Sequence, residues 1–293
     1  MEKIAILIKT FEREEYLYNC INSIKKYLNS VKYKIYICDD GPKSNQKKSF
    51  YDKLKNEGHF ILELPYNVGA NPGRLAILPY ISENIILRMD DDFYFCEDTR
   101  IDKMLMLLTK DETAGAVVGL EKQLSNNKGV KTGELRIKDS HGKLKKIGSV
   151  LIKCFMDYKK ESYNTIDNIK YCTIDYGRNF ILMKKSLLEY IVWDYCLKFA
   201  GEHLDFMLQL KKCKKYKLLF TPESIHLHAG PQKKELSESY INIRYGDNLK
   251  KNEKNSNIIF IQKWGIAKII SFHIEDNIFI KLKKITIALI KVL

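Results

Sequence analysis

Three carboxylates in a row close an apolar run: Ile85, Ile86, Leu87, Arg88 and Met89 lead into Asp90, Asp91 and Asp92. In an extended strand side chains alternate in direction, so Asp90 and Asp92 face the same way. Adjacent carboxylates raise each other's pKa unless a cation sits among them. Hard oxygen ligands suit Mg²⁺ or Mn²⁺, and the end of an apolar strand favours a metal site over a solvated acidic turn. Further along, His226 and His228 flank Leu227. At a strand end both rings point to one face, where imidazole suits Mn²⁺ as well as Zn²⁺. No cysteine stands nearby at ligand spacing, which argues against a zinc centre. Glu202 and Asp205 stand three apart at the start of a helical pattern, so both can project from one face of its first turn. The same pair would also suit the helix dipole as caps. Arg74 follows the Gly69 to Gly73 loop at a helix start, and a guanidinium beside a helix N-terminus favours a pyrophosphate.

These groups need elements that bring them to one place. The first hundred residues alternate buried-strand runs with helical periodicity, the pattern of strands joined by crossover helices into a largely parallel sheet. Strands are expected at 4–8, 33–38, 60–64 and 85–89, and helices at 14–28, 45–57 and 74–81. Each strand then delivers a polar cluster at its carboxyl end, the edge where open α/β sheets bind ligands. After Thr99 the pattern loosens. A helix is expected at 101–108, a strand at 115–120, and a hairpin or mobile loop in the Gly, Lys and Asn-rich passage 125–148. A strand-like run at 171–183, helices at 185–193 and 202–212, and a strand at 216–228 complete this part.

In these positions the chain resembles a family 2 type, inverting glycosyltransferase with the GT-A fold. The matching pieces run in the family's order from Lys3 to about His228. They are the first strand with Thr10 and Arg13, Asp39-Asp40-Gly41, Asn67 and Gly69 with Arg74, Asp90 with Asp92, Gly177-Arg178-Asn179-Phe180, and Gly201-Glu202-His203 with Asp205. The wording around Asp90 and Glu202 is closest to the branch resembling β-1,4-N-acetylgalactosaminyltransferases. The resemblance implies a Rossmann-like, mostly parallel sheet flanked by helices, with a C-terminal helical tail. It implies a catalytic domain over 1–248, made of a nucleotide-binding half (1–98) and an acceptor half (99–248), followed by a basic amphipathic tail at 249–293. It also implies that Thr10 and Arg13 line the nucleotide pocket, that Asp39 and Asp40 hydrogen-bond the uracil or ribose, and that Asp91 joins them on the nucleotide. Asp39 and Asp40 with Gly41 could equally make an Asx-type turn. A histidine would complete the metal shell, and spacing from Pro222 favours His228 over His226. An inverting transfer needs a carboxylate to take the acceptor's proton; Glu202 is the first choice and Asp205 the second, because the family's Glu-Asp pair is Glu202-His203 here. Pro72-Gly73 and Leu75 also depart from the family's pattern, next to the expected sugar contacts.

Composition bounds these readings. The 293 residues are 45% hydrophobic and 29% charged with 6 Pro, which excludes disordered and collagen-like chains. A net charge of +14 points to an anionic partner. From Leu249 onward nine lysines face three acidic residues, and 277–293 is an amphipathic helix pattern, suited either to an anionic membrane interface or to packing on the domain. The first strand lacks a following glycine-rich loop, which counts against a nucleotidyltransferase; basic residues are not interleaved with aromatics on one module, which counts against a nucleic-acid-binding protein. Seven cysteines without a Cys-x-x-Cys pair read as reduced thiols. With no leader-like opening and no long apolar run, the expected place is the cytoplasm, peripheral at the inner face of the membrane. The expected reactants are a UDP-sugar and a glycan or glycolipid acceptor, and the Lys, Ile, Asn and Tyr bias suggests a bacterial surface glycan.

Overall fold

The computed structural model describes residues 2–124, 135–137, 141–230 and 236–291. Its opening strands are β1 (Ile4–Thr10), β2 (Tyr33–Asp39), β3 (Phe60–Glu63) and β4 (Ile85–Asp90), joined by α1 (Glu14–Tyr27), α2 (Asn45–Asn56) and α3 (Ala70–Ile77). β1 alternates Ile4, Ile6 and Ile8 into one core with Ala5 and Leu7 into the core on the opposite face. α1 buries Leu17, Cys20, Ile21 and Ile24, with Glu14 and Glu15 at its N-terminus and Lys25 and Lys26 at its C-terminus, the charge order the helix dipole favours. In α2 the Ser44 hydroxyl accepts the Lys47 amide at 3.0 Å, an N-cap that starts an otherwise polar helix.

The remaining elements are β5 (Phe93–Tyr94), α4 (Ile101–Lys110), β6 (Ala114–Leu124), β7 (Leu135–Ile137), β8 (Gly142–Ile147), β9 (Val150–Phe155), β10 (Asn164–Ile166), β11 (Ile169–Ile174), β12 (Ile181–Lys184), α5 (Glu202–Lys212), β13 (Lys217–His228), α6 (Glu238–Tyr245), α7 (Asp247–Trp264), β14 (Lys268–Phe272) and α8 (Ile278–Ile290). The central sheet runs β10-β11-β13-β6-β12-β4-β1-β2-β3. It is parallel across β4, β1, β2 and β3 and mixed beyond, because β12 enters antiparallel between β4 and β6. The mostly parallel sheet expected from sequence therefore covers only its first half.

Other elements shift as well. α3 begins at Ala70 rather than 74, with Gly69 at φ 101° as its N-cap. Pro72 then falls in the first turn, where its missing N–H costs no helical bond. The run at 171–183 is two strands parted by 175–180, and the helix expected at 185–193 is only a 3₁₀ turn, Lys185–Glu189. Part of the passage expected to be a hairpin lies outside the described residues; within it β8 pairs antiparallel with β9. The tail is not helical throughout, since β14 pairs parallel with β9 and α8 buries Ala288 with Val150 and Ile152. All seven cysteines are free.

Candidate active site

The register sets the site. Lys9 pairs with Asp90, and Thr10 with Asp39, so the carboxyl ends of β1, β2 and β4 finish level. A cleft of about 210 Å³ opens there, and Thr10, Arg13, Asp40, Arg74, Asp90, Asp92 and Glu202 all line it. Glu202 comes from the first turn of α5, where Gly201 at φ 79° lets the chain turn into the helix.

Protein cations already surround the three aspartates. Arg13 bonds Asp91, and also Asp92 at 2.8 Å. Arg74 donates to Asp90 Oδ1 at 2.7 Å, and Asn179 to Asp90 Oδ2 at 2.9 Å. His228 Nε2 stands 3.5 Å from Asp92. Burial pushes the Asp91 carboxyl up to about 6 despite Arg13. Burial also works against Asp92, yet Arg13 and His228 hold it well below the usual carboxylate range. His228 is lifted to about 9 by Asp92 and Glu121 against the opposing effect of burial. Charge balance at this triplet thus does not itself require a metal, contrary to the repulsion argument from sequence.

Five expected site residues, Asp39, Asp91, Asp205, His226 and His228, are not among those that line the cleft; His228 stands beside Asp92. Asp39 is 1% exposed and is held by Lys47 at 2.7 Å, Tyr51 at 2.8 Å and the Gly41 amide at 3.0 Å. It forms the Asx-type turn, and Asp40 alone of that pair lines the cleft, bonded by Lys9 and by the Gly69 amide at 3.0 Å. Asp91 lies fully buried beneath, accepting from Thr10 at 2.6 Å. Asp205 turns away from Glu202 to accept from Trp264 Nε1 at 2.7 Å and Lys263 at 2.9 Å, which ties α7 to α5. His226 is buried, its ring stacked on Phe180 at 4.4 Å. Both histidine rings pack against Phe93, so they share a face of β13, and Phe180 encloses the His226 ring as well.

His226 offers a test of that placement. Burial lowers it to about 4, so the native state takes up a proton less readily than the unfolded chain, whose histidine titrates near 6.5. Its contribution is intact above neutrality and is lost as pH falls from about 6.5 towards 4, about 3 kcal/mol in full. His226→Phe should fold at least as stably near pH 7, because neither ring nitrogen has a hydrogen-bond partner among the described residues. It should also flatten the acid limb of a denaturant-midpoint profile. A variant that instead loses stability at pH 7 would show that the imidazole nitrogens are engaged.

Sequence reasoning missed several residues. Lys9 lines the cleft and passes directly over Gly73, where a Cβ would lie 2.6 Å from its Cε. Lys198, Phe199 and Tyr240 complete the rim, Tyr240 lying under the Arg13 guanidinium at 5.8 Å. Their signal was absent because they come from segments remote in sequence. Arg88 is 1% exposed on β4, over the Phe206 ring at 4.5 Å. It donates to Asn179 Oδ1 at 2.6 Å and meets His203 Nδ1 at 3.3 Å. Because Asn179 holds Asp90, and His203 follows Glu202, this guanidinium links both sides of the cleft. Burial pushes Arg88 down to about 9 and keeps His203 well below its ordinary value, hence neutral. A histidine in place of the family's aspartate therefore suits Arg88, since a neutral ring can accept from it and donate to the Gly177 carbonyl.

Residues 5–184, more than half of the chain, match the family described as Glycosyl transferase family 2. The chain belongs to this family. Human β-1,4 N-acetylgalactosaminyltransferase 1 is 28% identical to it over 117 residues, 39% of this chain and 20% of that protein. The family 2 chain thus spans a fifth of that relative's length. GalNAc-T7, crystallised with UDP, GalNAc and Mn²⁺, superposes with a TM-score of 0.62 at 16% identity, over 80% of this chain and 44% of its own. TarS 1–349 of S. aureus, in complex with UDP-GlcNAc, gives a TM-score of 0.51 at 15% identity, over 81% of this chain and 61% of its own. These likenesses show the GT-A fold.

A divalent cation at this family 2 member's site finds a partial donor set. Among the described residues no three His, Cys, Asp or Glu side chains converge as a metal cage. Asp92 Oδ2, which also accepts from Arg13 at 2.8 Å, and His228 Nε2 stand 3.5 Å apart, close to the spacing of two neighbouring ligands on an ion with bonds of about 2.1 Å. Mg²⁺ and similar ions commonly take one or two protein ligands and fill the remaining positions from substrate phosphates and water. Asp92 and His228 fit that role. Asp90 is engaged by Arg74 and Asn179, and the His226 ring is buried against Phe180.

Proposed function

We propose that this protein is an inverting, cation-dependent glycosyltransferase that moves a sugar, GalNAc or another hexose or N-acetylhexosamine, from its UDP ester to a glycan hydroxyl. One observation carries the reading: Glu202 lines the same cleft as Arg74 and Asp92. A donor lying along the strand ends would present its diphosphate to Arg74 and to the N-terminus of α3. Asp40 can accept from ribose hydroxyls, with Lys9 holding its carboxylate. Glu202 would take the acceptor proton as that oxygen attacks the anomeric carbon and the bond to UDP breaks with inversion. Mn²⁺ or Mg²⁺ held by Asp92 and His228 would supply charge neutralisation for the departing diphosphate. The N-acetylhexosamine preference is supported by the GalNAc and UDP-GlcNAc of the related structures. A panel of nucleotide sugars tests the reading by nucleotide release with Mn²⁺: turnover of UDP-sugars is expected, whereas turnover of GDP- or CMP-sugars alone would contradict it.

The acceptor in this reading is a bacterial surface glycan carried on lipid at the cytoplasmic leaflet. No described helix is long and apolar enough to cross a membrane. α8 nevertheless leaves Ile278, Phe279, Leu282 and Ile290 exposed, beside exposed Lys283 and Lys291. The expected basic face is rearranged, because Lys284 bonds Asp276 and the Ser271 carbonyl at 3.1 Å and Lys281 lies over Phe272. The outward face is thus more apolar than the sequence pattern implies, while anionic headgroups attract each remaining lysine by roughly 1 kcal/mol. Salt-sensitive pelleting with phosphatidylglycerol vesicles is expected, and Phe279→Ser with Ile290→Ser should weaken it at least tenfold while leaving donor hydrolysis intact. Equal pelleting of the double variant would contradict the membrane role.

A further inference from the structure

Glu121 lies on β6 with its side chain fully buried, and neither carboxylate oxygen has a hydrogen-bond partner among the described residues. A carboxylate in that position is costly unless charged groups face it. Two do: Arg178 Nε at 3.5 Å and His228 Nδ1 at 3.5 Å. Three groups surround the His228 ring, whose Nδ1 has no hydrogen-bond partner among the described residues. Its plane stacks on Phe93 at 4.7 Å and 18°, one nitrogen faces Glu121, and the other faces Asp92. The backbone holds this arrangement, since His228 pairs with Phe93 across β13 and β5, and the Ala229 amide donates to the Asp92 carbonyl at 2.9 Å.

From this geometry we propose that Glu121 is a positioning residue that holds a proton on His228 Nδ1 when a cation beside Asp92 displaces the Nε2 proton, so that the Nε2 lone pair is presented to that cation. The inference rests on the proposed cation site. A neutral imidazole carries one proton, and the nitrogen that binds a metal is the one without it. Glu121 is placed to accept that proton's hydrogen bond as the ring settles, and it lies across the ring from the nitrogen that faces Asp92. Arg178 balances the remaining charge, so the carboxylate stays ionised behind the ring. Buried carboxylates behind ligating histidines fix ring orientation and raise ligand basicity, and losing one costs 10–100-fold in metal affinity.

The test is a titration of Mn²⁺ into the full chain with UDP present, reading unbound Mn²⁺ by its electron paramagnetic resonance signal. Glu121→Leu removes the acceptor and is expected to weaken Mn²⁺ binding 10–100-fold. Glu121→Gln keeps an oxygen able to accept and should fall between Glu121→Leu and the wild type. In a His228→Ala background, Glu121→Leu should add less than a twofold loss. If His228→Ala weakens Mn²⁺ but Glu121→Leu stays within twofold of wild type, the role of Glu121 is overturned and the cation site stands. An equal loss in the His228→Ala background overturns it too, because the effect then does not pass through the ring. Absence of Mn²⁺ binding by the wild type would remove both.

Discussion

Glu202→Gln is expected to lower kcat for transfer by roughly 10²- to 10⁴-fold, the range of a lost general base, while UDP affinity stays within about twofold. The substitution keeps size and removes only the capacity to take a proton. Glu202 lines the cleft on the first turn of α5. Asp205 provides the contrast. It is 1% exposed and engaged by Trp264, Lys263 and Gln209, so Asp205→Asn should show its main cost in stability, by loosening α7 from α5. Steady-state kinetics with thermal unfolding separates the two. A loss of turnover in Asp205→Asn with unchanged stability and UDP affinity would move the base to Asp205.

Asp92→Ala is the second large expected effect. It should lower kcat/KM by roughly 10³-fold or more and abolish the response of turnover to added Mn²⁺, because Asp92 lines the cleft and stands beside the His228 ring. Arg13 would keep Asp91 but lose its bond to Asp92 at 2.8 Å, so a modest loss of stability is also expected. Turnover measured against Mn²⁺ concentration for both proteins decides it. Full turnover by Asp92→Ala, unaffected by EDTA, would exclude the cation role.

The first half of the sheet was legible because its strands are short apolar runs that end in acidic or glycine-bearing turns, and because α1 buries a regular stripe. The antiparallel entry of β12 was not, since a four-residue buried strand carries no signal of direction. The cleft's own side of the site was also readable: Asp90, Asp92, Arg74 and Glu202 are polar groups placed where apolar patterns stop. What failed was the orientation of individual side chains. Asp39 and Asp40 are neighbours of one type, yet Lys47 and Tyr51 draw Asp39 inward while Lys9 holds Asp40 at the cleft. His226 and His228 share a strand, but aromatic rings from β5 and the segment before β12 enclose the first. Such choices depend on residues far away in the chain, as do Arg88 beneath Asn179 and His203, and Glu121 behind His228.

The central claim, that this cleft binds a uridine diphosphate donor with help from a divalent cation, is tested most directly by calorimetric titration of UDP into the wild-type chain with Mn²⁺ and again after chelation with EDTA. One UDP per chain is expected, displaced by the UDP-sugar that turns over and weakened at least tenfold by chelation. Absence of UDP binding with Mn²⁺ present, or an affinity unchanged by EDTA, would contradict the claim.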